Sequence, residues 1–174
     1  MDVPTVVANV LTFNTNTFVR PALLGLSDAD LLKRPSEQCN PIGWFLWHQT
    51  RVEDAMLSHI SDSPQTWVAD QWHAQFGMPA DPHDAGRGHS LQQVMALQPT
   101  MAALHGYAAA VRDKTLAVLP SLTPADLERE LPFPAGGTST VGDFLGIVLI
   151  DQCHHSGQIA YVRGYVTGLG WLTI

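Results

Sequence analysis

Asp151 and His155 stand four residues apart in the run Leu149-Ile150-Asp151-Gln152-Cys153-His154-His155-Ser156-Gly157-Gln158-Ile159. On a helix that spacing places a carboxylate and an imidazole on one face, with Gln158 a turn further along it. His48 lies in a second apolar run, Trp44-Phe45-Leu46-Trp47-His48-Gln49, where an imidazole without a partner would be costly to bury. If the two runs are facing helices, His48 meets the Asp151/His155 pair and three N and O donors converge. Such a set suits a divalent transition metal (Zn, Ni, Fe or Mn) and leaves coordination positions open to water or substrate. Open positions make the ion reactive.

Plainer explanations stand beside this one. A single His on an apolar helix face is commonly a hydrogen-bonded core residue, and Asp-x-x-x-His is commonly an ion pair. His154, three residues from Asp151, competes with His155 for the inward position and otherwise has a supporting or surface role. His59, His73, His83, His89 and His105 fall at helix ends, in a polar loop or alone on a helix, so they are expected at the surface. Cys153 beside His154 suggests a thiolate–imidazole pair. Helical neighbours point about 100° apart, however, so a small buried hydrophobe is the better expectation. Trp44 and the other tryptophans are expected in the core, with a pocket lining as the alternative.

The elements that must position these groups read as helices. Val6, Val10, Phe13, Phe18 and Leu23 share a helical face over 5–24. Ser27-Asp28-Ala29-Asp30 caps a short connector that Pro35 ends. Asn40-Pro41 predicts the start of a long helix over 41–60, with Asn as cap. Between Ser61 and Ser90 the prolines and glycines predict a long loop, with a short helix near 65–75; a loop of that length suggests a lid. Ser90 opens a further helical stretch, and a third long helix is expected over 99–119. Thr123-Pro124-Ala125-Asp126 caps a short helix that Pro132, Pro134, Gly136 and Gly137 break, and a last long helix is expected over 140–167. No alternating stretch bounded by hairpin turns is evident. The expected fold class is all-α, a four-helix bundle with long crossover connections and short extra helices.

The chain has 174 residues, the size of one domain, and 1–174 is expected to be that single domain. With 45% hydrophobic and 14% charged residues it is expected to bury a core. Sixteen acidic against nine basic residues give a net charge of −7, and no basic run supplies the footprint of a nucleic-acid or lipid-surface binder. No apolar stretch reaches the roughly 18–20 residues of a membrane span, and the first residues lack the pattern of an export signal. With two cysteines outside any repeated C-x-x-C pattern, a reduced, cytoplasmic protein is expected.

His-His-Ser-Gly-Gln-Ile-Ala-Tyr-Val-Arg on the last helix, Trp-His-Gln-Thr-Arg-Val-Glu-Asp on the second and the connector Leu-Ser-Asp-Ala-Asp-Leu-Leu-Lys-Arg-Pro together resemble the DinB-like superfamily over essentially the whole chain. Members are metal-binding four-helix bundles, among them bacillithiol- and mycothiol-dependent transferases and a mycothiol-dependent maleylpyruvate isomerase. The resemblance implies that His48, Asp151 and His155 take the ligand positions, with Gln158, His154, Trp44 and Glu53 as supporting or substrate-facing residues. Asp151 departs from the family pattern, which commonly has His there. Coordination by its carboxylate would convert three His into two His and one carboxylate, while failure to coordinate would weaken the metal. Ser156 replaces a basic residue common at that point, which argues against an anion bound there. The resemblance also implies a homodimer and a small-molecule substrate.

The expected function is activation of a low-molecular-weight thiol, such as mycothiol or bacillithiol, for transfer to a small electrophile, by a thiol S-transferase or isomerase. The alternatives are a non-catalytic metal-binding stress-response protein and a non-haem iron oxygenase, whose ligand set has the same composition.

Overall fold

The computed structural model describes residues 1–133 and 136–172. The first long helix runs from 3 to 23 in three parts. Helix α1 (Val3–Asn14) begins where the Asp2 side chain accepts the Thr5 amide. A π-helical segment (Thr15–Val19) follows, then α2 (Arg20–Leu23). Pro21 lacks an amide proton, and its ring would clash with the carbonyl four residues back. The wider turn, in which the Arg20 amide donates to Thr15, relieves that conflict.

The connector helix α3 (Asp28–Leu31) carries a reciprocal capping box between Ser27 and Asp30. Helix α4 (Ile42–Ser61) is buried along most of its length. Its N-cap is Pro41 and not the expected Asn40: the cap position needs extended backbone, which Pro41 supplies at ψ 166°. Two short helices, α5 (Thr66–Ala69) and α6 (Trp72–Gln75), occupy the expected helical piece of the long connection. After the loop, α7 (Leu91–Ala96) opens with a Ser90/Gln93 capping box. Helix α8 (Met101–Val118) is capped by Thr100, so Pro99 lies just outside it instead of in its first turn.

The short α9 (Pro124–Leu127) is capped by Thr123. An antiparallel ribbon of β1 (Glu130–Pro132) and β2 (Thr138–Thr140) then leads into α10 (Val141–Thr167). The ribbon corrects the expectation that no hairpin is present. Its strands are too short for an alternating pattern to register, and Pro132 is tolerated because a two-stranded ribbon has only edges. Pro134, assigned to the same break, lies outside the described residues. Phe144–Ile150 is helical, as expected.

Helix α4 is the centre of the bundle, packing on α10 and α8, while α1 lies against α10. One apolar cluster gathers Trp47, Trp67, Tyr107, Ile159 and Val162; another gathers Leu11, Leu57, Ile60, Phe144 and Val148. A polar layer separates them. There Glu53 accepts from Arg112, Thr115 and Gln152, and Ser156 accepts from Asn14. Each buried polar group in this network has a partner, the condition for tolerating it in a core. No described helix is long and apolar enough to cross a membrane.

Candidate metal centre

His48 projects from the first half of α4, and Asp151 and His155 project from successive turns of α10. Their helices are packed against one another, so the three meet: ligand-capable atoms of all three lie within 4.8 Å of one another. His48 Nε2 is 3.5 Å and His155 Nε2 3.4 Å from Asp151 Oδ1. Around a tetrahedral ion with bonds of about 2.0–2.2 Å, neighbouring ligand atoms lie about 3.3–3.6 Å apart. These two spacings are wider than an ordinary hydrogen bond and match two edges of that polyhedron.

The second nitrogen of each ring decides what the first one offers. His48 Nδ1 contacts the Ala85 carbonyl, which can only accept, so Nδ1 carries the proton and Nε2 the lone pair. His155 Nδ1 is 2.6 Å from Gln158 Oε1, which fixes the same tautomer. Two nitrogen lone pairs therefore face a carboxylate oxygen with no proton between them, an arrangement that a cation relieves. Asp151 Oδ2 is buried and has no partner in the protein, so a further acceptor is left for the same purpose. The residues fit a divalent metal.

Electrostatics agrees in direction. Burial pushes the Asp151 carboxyl up, but the facing His155 and His48 rings outweigh it and hold it below its ordinary value. Burial likewise pushes His155 down, and Asp151 and Gln158 reverse that to a net rise. The pocket favours positive charge at its centre, from protons or from a metal.

Aromatic faces enclose the rings. Trp44 stacks on His48 with centroids 4.8 Å apart, and Phe45 lies over His155 at 5.5 Å. The long loop closes the His48 side, held down by Arg51, one turn along α4. Arg51 is fully buried and donates to the carbonyls of Asp81, Pro82 and Asp84, to Gln65 and to Tyr107. Gly86, at φ +88°, sits against Trp44 and Trp47 where a Cβ would come within 2.7 Å of an indole. Two depressions reach the centre. One of about 580 Å³ passes Cys39, Trp44, His155 and Tyr161, and one of about 300 Å³ passes His48 and the Gly86–His89 turn.

His154 is exposed and stacked outside His155, so His155 takes the inward position. Other placements depart from expectation. Cys153 is exposed and not a buried hydrophobe, because the inward stripe of α10 runs through Gln152, Ser156 and Ile159. Glu53 is buried but does not reach the centre; it is saturated by Arg112, Thr115 and Gln152 in the polar layer. His89 is packed instead of surface-exposed: it accepts from Trp44 Nε1, bonds Asp84 and stacks on Trp47. The Ala85 carbonyl, Arg51 and the Asp84–His89 pair were not singled out from the sequence. A signal existed for Arg51 alone, since a guanidinium in a buried run requires partners.

The sequence profile of the DinB superfamily matches residues 17–159. A crystal structure of a conserved protein from Enterococcus faecalis superposes with a TM-score of 0.85 at 21% identity, over 97% of this chain and 99% of that one. That likeness concerns the fold. No curated protein matches the sequence at a significant level.

Proposed function

The chain belongs to the DinB superfamily, and from that premise we propose that it is a metal-dependent enzyme that activates a low-molecular-weight thiol for transfer to a small electrophile. The observation that carries the proposal is the pair of Nε2 lone pairs aimed at Asp151 while both Nδ1 protons are committed elsewhere. In this reading His48, Asp151 and His155 hold the metal. Bound there, the ion supplies positive charge that favours thiolate over thiol near neutral pH. Ala85 and Gln158 hold the imidazoles in the tautomer and orientation that binding requires. Trp44 and Phe45 limit water, and the groove past Cys39 and Tyr161 has room for thiol and electrophile. The thiolate sulfur forms a bond to carbon as the electrophile's leaving group departs with its electron pair, and the thiol proton passes to solvent.

The experiment is metal analysis of freshly purified protein, then turnover assays pairing mycothiol, bacillithiol and other thiols with electrophiles. Stoichiometric metal and thiol-dependent turnover support the proposal. Metal without turnover leaves a non-catalytic metal-binding protein, and no metal overturns the reading. The two-imidazole, one-carboxylate set favours a second reading, a non-haem iron oxygenase, tested by oxygen uptake after ferrous loading. The proposal includes a cytoplasmic setting, supported by two free cysteines, and a homodimer through the exposed Ile150, Tyr161 and Tyr165 of α10, which sedimentation tests.

A further inference from the structure

One titratable pair near the metal centre has no part in the chemistry proposed above. Asp84 and His89 face each other across the turn that closes the His48 side, with Asp84 Oδ1 2.9 Å from His89 Nε2. A carboxylate–imidazole pair bordering a depression is an arrangement used for acid–base catalysis, but the hydrogen bonds here exclude that role. Trp44 Nε1 can only donate, and it donates to His89 Nδ1 at 3.3 Å, so His89 Nε2 carries the ring's proton and directs it at Asp84. Both nitrogens are occupied, and the His89 side chain is 6% exposed between Trp44 and Trp47. Neither a lone pair nor a proton is left for a substrate.

What the pair holds is the surroundings of His48. Asp84 Oδ1 also accepts the Gly86 amide at 2.9 Å. That N–H and the Ala85 carbonyl belong to one planar peptide unit, in which the two groups point in opposite directions. Anchoring the N–H on Asp84 therefore aims the carbonyl away from it, and the group the carbonyl meets is His48 Nδ1. Carboxylate, peptide and imidazole form a continuous path in which each hydrogen bond polarises the next. The carboxylate makes the Ala85 oxygen a stronger acceptor, and a stronger acceptor at Nδ1 makes Nε2 a more basic ligand. The main chain of Asp84 is fixed as well, since its carbonyl accepts from Arg51 Nε at 3.0 Å. His89 acts from the other side: the indole it holds is the one stacked on His48, with the planes 9° apart. The pair thus governs the edge of the His48 ring through the peptide and its face through Trp44.

We propose that Asp84 and His89 are positioning residues for the metal ligand His48, setting its tautomer and orientation through the Ala85–Gly86 peptide and the Trp44 indole. The assignment rests on the reading of His48 as a ligand, so its test includes a readout that needs no metal.

The test uses the full chain, first metal-free and then titrated with zinc. In the metal-free protein at about pH 9, above the ordinary His range of about 6–7, long-range proton–nitrogen NMR reports which nitrogen of His48 carries the proton. Wild type is expected as the Nδ1–H tautomer. Asp84→Ala removes the anchor from a partly exposed position, while His89→Phe keeps a ring against Trp47 and removes both nitrogens; either decides should the other fail to fold. Each should give mixed His48 tautomers, leave His155 unchanged because Gln158 holds it, and lower zinc affinity about 10–100-fold. His89→Phe should also shift the Trp44 indole N–H resonance. Asp84→Asn keeps an oxygen for the Gly86 amide and should restore the tautomer and part of the affinity. Leu57→Ala, in the apolar cluster away from the site, should lower the melting temperature and leave the His48 tautomer and zinc affinity as in wild type. A wild-type His48 in the Nε2–H form overturns the proposal. So does an unchanged tautomer or unchanged zinc affinity in the folded variants, or an equal tautomer change in Leu57→Ala. A wild type that binds no metal removes the thiol-transfer reading, and the tautomer and indole signals still decide the positioning.

Discussion

Replacing Arg51 with Met tests whether the loop and the metal centre are one mechanical unit. The guanidinium is fully buried, stands 3.7 Å from Asp54, makes five hydrogen bonds and lies over the Trp67 ring. Met keeps the aliphatic stem and removes the charge. Asp54 retains the Thr66 and Trp67 amides and the Tyr107 hydroxyl, but the Asp81 and Asp84 carbonyls lose their donors, and the Pro82 carbonyl keeps only Gln65 Nε2. Breaking a buried pair from one side costs about 3–5 kcal/mol. At about 2–4 °C per kcal/mol for a chain of this size, the melting temperature of chelator-treated Arg51→Met should fall about 6–20 °C. Chelation matters because bound metal would itself add stability. Ala85 belongs to the released loop, so metal affinity should fall too, by roughly the 10–100-fold typical of lost outer partners. Calorimetry gives the first quantity and metal titration at a temperature where the variant is folded gives the second. A variant melting within about 2 °C of wild type would refute the clamp. A large melting change with unaltered metal affinity would refute the coupling of loop to site.

His48→Ala and His155→Ala should each abolish stoichiometric metal by elemental analysis, and Asp151→Ala should weaken binding strongly; Asp151→His should retain metal with preference moved toward zinc, nickel or copper, and His154→Ala should be mild. Metal requires neutral imidazoles, and His155 holds its proton above the ordinary value, so affinity measured by competition titration should fall as pH drops, beginning above the usual His range of about 6–7. Gln158→Ala frees His155 Nδ1 and should weaken metal about 10–100-fold without unfolding the protein, as isothermal titration and circular dichroism would show. Asp143 is held below the ordinary carboxylate value, chiefly by the Thr140 hydroxyl, then by the Thr140 amide and Ser139. A depressed folded pKa contributes stability above the unfolded value of about 3.9 and loses it as pH falls through the folded one. Asp143→Asn should therefore melt lower than wild type at neutral pH, with the gap closing below about pH 4.

The helices were legible because they carry signals locally: caps at Ser27, Ser90 and Thr123 for short helices and at Thr140 for the last long one, and apolar faces with helical spacing for the others. The three converging donors were legible for a related reason, since the spacing of Asp151 and His155 converts directly into a shared face. What escaped depends on pairings distant in sequence. Nothing near Ala85 announces that its carbonyl will fix the tautomer of His48, thirty-seven positions earlier, and nothing near Glu53 shows that Arg112 and Gln152 will saturate it and draw it from the centre. His89 looked like a loop residue because its stacking partner Trp47 and donor Trp44 belong to another element. Even the π-turn has a visible cause, Pro21 four residues after Thr17, but a proline there is equally compatible with a kink or a helix end. Packing against α10 chooses among them: Asn14 bonds Ser156 and the Gln152 carbonyl, so the chain stays helical on both sides of the proline and absorbs the conflict in one widened turn. Donor types and helix faces were thus local information, whereas tautomer and loop closure arise only when distant elements meet.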